Sequence, residues 1–201
     1  MNECLIQDKE TLNEYLEYER RLYFPNMNKV SIRRMKRLHW KRYQIWKCMY
    51  YLRIAEYYYY CCIRDKNSKR SIKHKVYSVL LDYYTRKKNI ACDSAGIELN
   101  LNRMGKGTDI WHGSVVINGN IGTDCCFHGT NTIGIKSNDR NLACPKLGNR
   151  VDVGVGAMIV GDVTIADDCV IGAGAVVTKS CLEPGTVLVG VPAVPLKRKE
   201  G

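Results

Sequence analysis

A chain of 201 residues with 45% hydrophobic content and a net charge of +11 suits one or two small globular domains. No apolar run approaches the ~20 residues of a bilayer span, and the start MNECLIQDKE lacks a basic-then-apolar signal pattern, so the expected location is the cytoplasm. Ten cysteines include the adjacent pairs Cys61-Cys62 and Cys125-Cys126 but no CxxC, a spacing that fits neither a zinc site nor a secreted disulfide framework.

Charge is unevenly spread. Residues 1–95 hold 21 Lys/Arg against 10 Asp/Glu and all thirteen tyrosines, whereas residues 96–201 hold 10 of each sign. Two differently built regions are implied, 1–95 helical, basic and Tyr-rich, and 96–201 of another kind.

Within the first region, Leu5, Leu12 and Leu16 among acidic residues predict a short surface helix, ended by Phe24-Pro25-Asn26. From Ser31 to about Asp65 the spacing predicts one helix with Met35, Leu38, Ile45, Met49, Leu52 and Ile54 on its apolar face. Residues 66–71 read as a polar turn, and a further helix is expected from Ile72 to about Lys88 using Val76, Val79, Leu80 and Tyr83. These basic helices admit three readings. They form a helical cap and oligomer contact with Lys and Arg in solvent, or touch an anionic membrane surface weakly. Nucleic-acid binding is not expected, because no reader motif accompanies the charge.

After Gly96 the periodicity changes to six. Leu147, Val153, Ile159, Ile165, Ile171 and Val177 recur without a slip, with Val151, Ala157, Val163, Cys169 and Ala175 four residues after each in turn. Gly148, Gly154 and Gly172 follow three of the bulky residues directly. Ile121, Cys125, Phe127, Asn131 and Ile133 keep the same offsets, and Met104, Ile110 and Val116 give a third run joined by a one-residue shift. One bulky and one small residue per six predicts a mainly β fold, a single-stranded left-handed parallel β-helix of hexapeptides, with the glycines at backbone angles that a Cβ would obstruct. A Gly-rich β-sandwich is the competing fold, but sandwich strands drift in spacing. Cys125 and Cys169 fall in small slots and are expected to be reduced packing residues.

The ladder is interrupted over 136–146 (KSNDRNLACPK), a polar loop extruded where repeat proteins place insertions on a working face. Past Val177, Pro184-Gly185 is a turn, Thr186 to Val189 a last strand, and GVPA (190–193) leads to a basic tail, Lys197-Arg198-Lys199. Of four histidines, His39 and His74 sit among Lys and Arg. His112 lies where the ladder shifts register, and His128 follows the ladder residue Phe127 in a slot that elsewhere holds a small residue.

The segments GKGTDIWHGSVVINGNIG (105–122), CCFHGTNTIG (125–134), the run 145–180 and GVPA (190–193) together resemble the hexapeptide-repeat acyltransferases, serine O-acetyltransferases and their polysaccharide-associated relatives in particular. The resemblance implies an acetyl-CoA-dependent O-acetyltransferase acting on L-serine for cysteine synthesis, or on a saccharide hydroxyl; a non-catalytic scaffold or binding module is the reading of another class. It implies a homotrimer or dimer of trimers and no metal. His112 matches the family's catalytic base, a role that imidazole suits near neutral pH, with Glu98 or Asp109 as the orienting carboxylate. In the loop, Asp139 and Arg140 match the acceptor-binding run while Asn141 stands where the family has His, and His128 is a substitute contact from the coil wall. For CoA, the matching positions are Val155, Ala157, Ala173 and Gly174, with Lys179 and Arg198 as phosphate contacts.

Overall fold

The computed structural model describes residues 4–65, 71–136 and 143–196. Its chain divides into two compact units, Met1–Gly96 and Ile97–Gly201.

Four helices build the first unit: α1 (Lys9–Tyr23), α2 (Lys29–Arg37), α3 (Lys41–Arg64) and α4 (Ile72–Ala95). Asp8 caps α1 by accepting from the Thr11 N–H, as a short acceptor side chain ahead of a first turn should. The single helix expected over 31–65 is two. His39 adopts φ 52°, its N–H reaches Lys36 O and the Trp40 N–H reaches Met35 O, a Schellman closure made without glycine. Leu38 is therefore released to solvent, whereas Met35, Ile45, Met49, Leu52 and Ile54 are buried as expected.

The fourth helix runs seven residues past Lys88 and buries Ala91, Cys92 and Ala95. Of its expected apolar face Leu80 is half-buried, but Val76, Val79 and Tyr83 are turned outward and, with Ile72 and Ile90, are exposed at heptad-like spacing. Tyrosine makes the α3–α4 contact instead. Tyr58 and Tyr84 stack at 5.6 Å and 9°, with Tyr51 against Tyr84 and Tyr77 against Tyr58. The tyrosines are thus helix-packing residues, each supplying a large apolar body with a polar tip.

A buried charge cluster, absent from the sequence reading, ties three turns of this unit together. Arg53 is fully buried and donates to Glu19 Oε1 from two nitrogens, at 2.7 and 3.0 Å, and to Glu56 Oε2 at 3.0 Å. Burial alone would lower the guanidinium pKa, but the two adjoining carboxylates more than reverse that, and the group is held above its ordinary value.

Successive strands of the second unit visit three sheets in turn. The five-stranded sheet runs β1 (Ile97–Leu99), β3 (Val115–Ile117), β6 (Thr132–Gly134), β9 (Met158–Val160) and β12 (Val176–Val177). β4 (Asn120–Ile121), β7 (Lys146–Leu147) and β10 (Thr164–Ile165) form the second. The third contains β2 (Asp109–Ile110), β5 (Cys126–Phe127), β8 (Asp152–Val153), β11 (Val170–Ile171), β13 (Val187–Val189) and β14 (Val194–Pro195). All pairings are parallel except β13 with β14, a closing hairpin that the sequence reading lacked. Each coil gives one short segment to each face, and the result is a three-faced parallel solenoid.

Its interior is the hexapeptide ladder. Leu147, Val153, Ile159, Ile165, Ile171 and Val177 are buried, and Val151, Ala157, Val163, Cys169 and Ala175 lie beside them at 3% exposure or less. Burial pushes the Cys125 thiol up to about 11, which keeps it protonated and unreactive in its packing slot. The earliest run differs from expectation. Val116 is exposed while Val115 and Ile117 are buried, because the extra residue enters between Ile110 and Ile117, ahead of β3. Gly148, Gly154 and Gly172 also have a different role from the one expected. None has positive φ; a Cβ on Gly154 would come within 2.7 Å of Ala173 N, and one on Gly148 would collide with Asp167. Close approach of adjacent coils is what demands glycine there.

Asn131 occupies a small slot at zero exposure and is fully engaged. Its Oδ1 accepts from Gly129 N at 2.9 Å, and its Nδ2 donates to Gly154 O at 2.7 Å. Asn131→Ala orphans a buried donor at the corner that carries Gly129. The expected loss is about 1–3 kcal/mol of unfolding free energy in a denaturant titration, and an unchanged midpoint would contradict the assignment.

Candidate active site

One edge of the prism, where chain leaves the six-stranded sheet for the five-stranded one, collects most of the residues singled out by sequence. His112 and Gly113 turn β2 into β3, Gly129 and Thr130 turn β5 into β6, Val155 and Gly156 turn β8 into β9, and Ala173 and Gly174 turn β11 into β12. Backbone bonds fix the stack: Thr130 N to Gly113 O at 3.3 Å, Gly156 N to Gly129 O at 3.0 Å, and Gly174 N to Val155 O at 2.8 Å. Thr130, Gly156 and Gly174 all have positive φ, so the chain turns tightly at each level. Three rungs at ~4.8 Å separate the level of His112 from that of Ala173, roughly 14 Å along the axis.

His112 is exposed at the first level of this edge, and Gly129 lies directly beneath it. A Cβ on Gly129 would come within 2.7 Å of the His112 Cβ, at a backbone φ of 116° that side chains rarely adopt. Gly129→Ala is expected to displace His112 and to reduce turnover more than tenfold, while far-UV circular dichroism keeps the wild-type spectrum. Wild-type kcat in that variant would show that the seat of His112 is not set by Gly129.

Both carboxylates named as orienting groups belong to this end of the solenoid, yet neither hydrogen-bonds the His112 ring among the described residues. Glu98 is exposed at the centre of β1, in register with Val116 of β3. Asp109 Oδ2 accepts the Trp111 indole N–H at 3.1 Å.

A histidine–carboxylate pair is built instead around the other solenoid histidine. His128 Nε2 lies 2.7 Å from Asp152 Oδ1, and Trp111 packs on the His128 ring with centroids 4.5 Å apart. Phe127 and Val153 point inward, so His128, Cys126 and Asp152 share the outer face of the sheet. Asp152 was missed by sequence reading. Its signal is positional, because it precedes a ladder residue one coil beyond Phe127, but the interruption after Ile135 hides that register.

The remaining expected residues divide. Val155, Ala173, Gly174 and Lys179 are exposed. Ala157 is not, and its carbonyl already accepts from Thr132 N and Asn131 Nδ2, so it serves the corner packing. Asp139, Arg140 and Arg198 lie outside the described residues. The arrangement offers an open imidazole at one end of an edge otherwise lined by small residues, which suits proton transfer beside an extended ligand.

Comparison with known proteins bears on the repeat and the fold. The bacterial transferase hexapeptide (six repeats) model matches residues 145–179. A serine acetyltransferase of Helicobacter pylori is 39% identical over 102 residues, covering 49% of this chain and 59% of that protein. The putative colanic acid biosynthesis acetyltransferase WcaB of Escherichia coli is 41% identical over 80 residues, 38% of this chain and 49% of that one. The chain thus spans about half to three-fifths of the length of these curated relatives. Among solved structures, Neisseria gonorrhoeae serine acetyltransferase superposes with a TM-score of 0.61 at 20% identity, over 94% of this chain and 68% of that one, a likeness of fold. The chain carries hexapeptide repeats over residues 145–179, is similar in sequence to a serine acetyltransferase over 49% of its length, and shares the fold of these enzymes.

Proposed function

We propose that this chain is an acyltransferase that moves an acetyl group from acetyl-CoA to a hydroxyl, with L-serine as the leading acceptor. The observation that carries the proposal is the placement of His112, exposed on the edge whose next levels are Gly129, Val155-Gly156 and Ala173-Gly174. Small side chains there leave room for an extended pantetheine arm, with Lys179 and Arg198 as the phosphate contacts. The solenoid is then left-handed and the working assembly a trimer or dimer of trimers, an arrangement for which the exposed heptad-spaced face of α4 offers a contact.

In this reading the His112 imidazole takes the acceptor's hydroxyl proton as the oxygen attacks the thioester carbonyl. The tetrahedral intermediate collapses, the thiolate leaves, and the imidazolium returns the proton to sulfur. Glu98 is the carboxylate proposed to orient His112, with Asp109, whose Oδ2 accepts the Trp111 indole N–H, as the alternative. Arg140 supplies a fork for the acceptor's carboxylate.

A saccharide hydroxyl is the second acceptor, favoured by the WcaB likeness and by Asn141 standing where the serine enzymes have His. A free-thiol assay with L-serine and with sugar acceptors separates the two. Absence of acetyl-CoA turnover with either acceptor, by chain that binds CoA, would overturn the first reading in favour of a non-catalytic module. No helix among the described residues is long and apolar enough to cross a membrane. The weak contact expected of the basic helices is tested by salt-sensitive binding to anionic vesicles.

A further inference from the structure

The outer face of the six-stranded sheet carries a donor set to which the proposed transfer mechanism through His112 gives no step. Cys126, His128 and Asp152 each bring one ligand atom to a common point, and these atoms lie within 4.8 Å of one another. Backbone geometry alone places them there. Cys126 and His128 flank the inward-pointing Phe127 on one strand, and Asp152 is in register with Cys126 on the next rung. Ladder bonds hold all three main chains: Cys126 N to Val151 O at 3.0 Å, His128 N to Val153 O at 3.0 Å, and Asp152 N to Cys169 O at 2.9 Å. On the opposite rung Asp109 is also in register with Cys126, so the thiol stands between two carboxylates, and Trp111 closes one side of the His128 ring.

We propose that Cys126, His128 and Asp152 form a binding site for a divalent transition metal of the zinc class, with thiolate, imidazole and carboxylate as its three protein ligands. Zinc bonds of ~2.0 to 2.3 Å in a tetrahedral arrangement put donors roughly 3.3 to 3.8 Å apart. The His128–Asp152 separation of 2.7 Å has to open for this, while the remaining donor separations are no longer than 4.8 Å. Mixed sulfur, nitrogen and oxygen donors select zinc, cobalt or nickel over magnesium and calcium, which prefer all-oxygen sites. On binding, the Cys126 thiol gives up its proton to solvent as the metal–sulfur bond forms, and the fourth position stays open to water. The sequence reading expects no metal because the family resemblance implies none and no CxxC occurs; the three donors come from two coils separated by the extruded loop, so their spacing carries no signal.

The test is an equilibrium titration of the full chain, stripped with a chelator and kept reduced, with Zn²⁺ against a chromophoric competitor and without CoA or acceptor. The expected result is one equivalent per chain with micromolar or tighter affinity, unaffected by excess Mg²⁺. Cys126→Ser, His128→Ala and Asp152→Asn should each weaken it on the order of tenfold or more. Titration with Co²⁺ adds a readout on unaltered protein: a thiolate-to-cobalt absorption band, and protection of Cys126 from alkylation in peptide mapping. Absence of stoichiometric binding overturns the site, as does binding that survives replacement of all three residues or cobalt binding that leaves Cys126 unprotected. Because nothing here depends on acetyl transfer, this inference and the proposed function can fail separately.

Discussion

Replacing His112 by alanine is expected to lower acetyl-CoA turnover by roughly two to four orders of magnitude, the usual contribution of a general base. The loss should appear in kcat, because the small-residue edge proposed to receive the cofactor is untouched and His112 is an exposed corner residue with no share in the solenoid's interior. CoA affinity, measured by calorimetry, and the far-UV spectrum should therefore match the parent. A variant that folds, binds CoA and keeps parental kcat assigns the base elsewhere. The pair of His128 and Asp152, already 2.7 Å apart, is then the next candidate.

The largest stability effect lies in the helical unit. Arg53→Ala leaves Glu19 and Glu56 as neighbouring buried carboxylates with their shared cation removed, a change expected to cost about 3–5 kcal/mol. Against the ~5–15 kcal/mol by which domains are stable, that is a large fraction, and the helical signal should melt about 15 °C or more below the parent. A triple replacement of Arg53, Glu19 and Glu56 by apolar residues of similar volume should recover most of the loss, because the desolvation of three charged groups disappears with their attraction. An Arg53→Ala melting curve superposable on the parent would show that the cluster is wet and contributes little.

Legibility in the sequence followed the origin of each constraint. The six-residue period was readable because one inward residue per face repeats in the backbone itself, and it located the buried ladder from Leu147 to Val177 without alignment. The same arithmetic misplaced Val116, since an extra residue after Ile110 and a short step from Ile117 to Ile121 nearly cancel over the next two faces. Gly148, Gly154 and Gly172 were found for the wrong reason, as their φ is ordinary and adjacent coils are what exclude a side chain. The break at His39 carried no Gly or Pro to announce it.

Two clusters were hidden for a different reason. Arg53 reads as one more surface cation because Glu19 is 34 residues away in another helix, and helical spacing reports nothing of such a partner. Asp152 pairs with His128 across 24 residues rather than the sixteen such a diagonal pair would have in an uninterrupted coil, the extruded segment supplying the other eight. His112 was singled out through the family resemblance of its segment, while its place against Gly129 was not foreseen, because that contact depends on how the coils stack.

A structure of the chain with CoA bound bears most directly on the account as a whole. The account predicts the pantetheine arm along the edge formed by Val155, Gly156, Ala173 and Gly174, with its sulfur close enough to His112 for an acceptor oxygen to touch both. Cofactor bound on another face of the prism, or a sulfur beyond the reach of His112 from every subunit of the assembly, would contradict it.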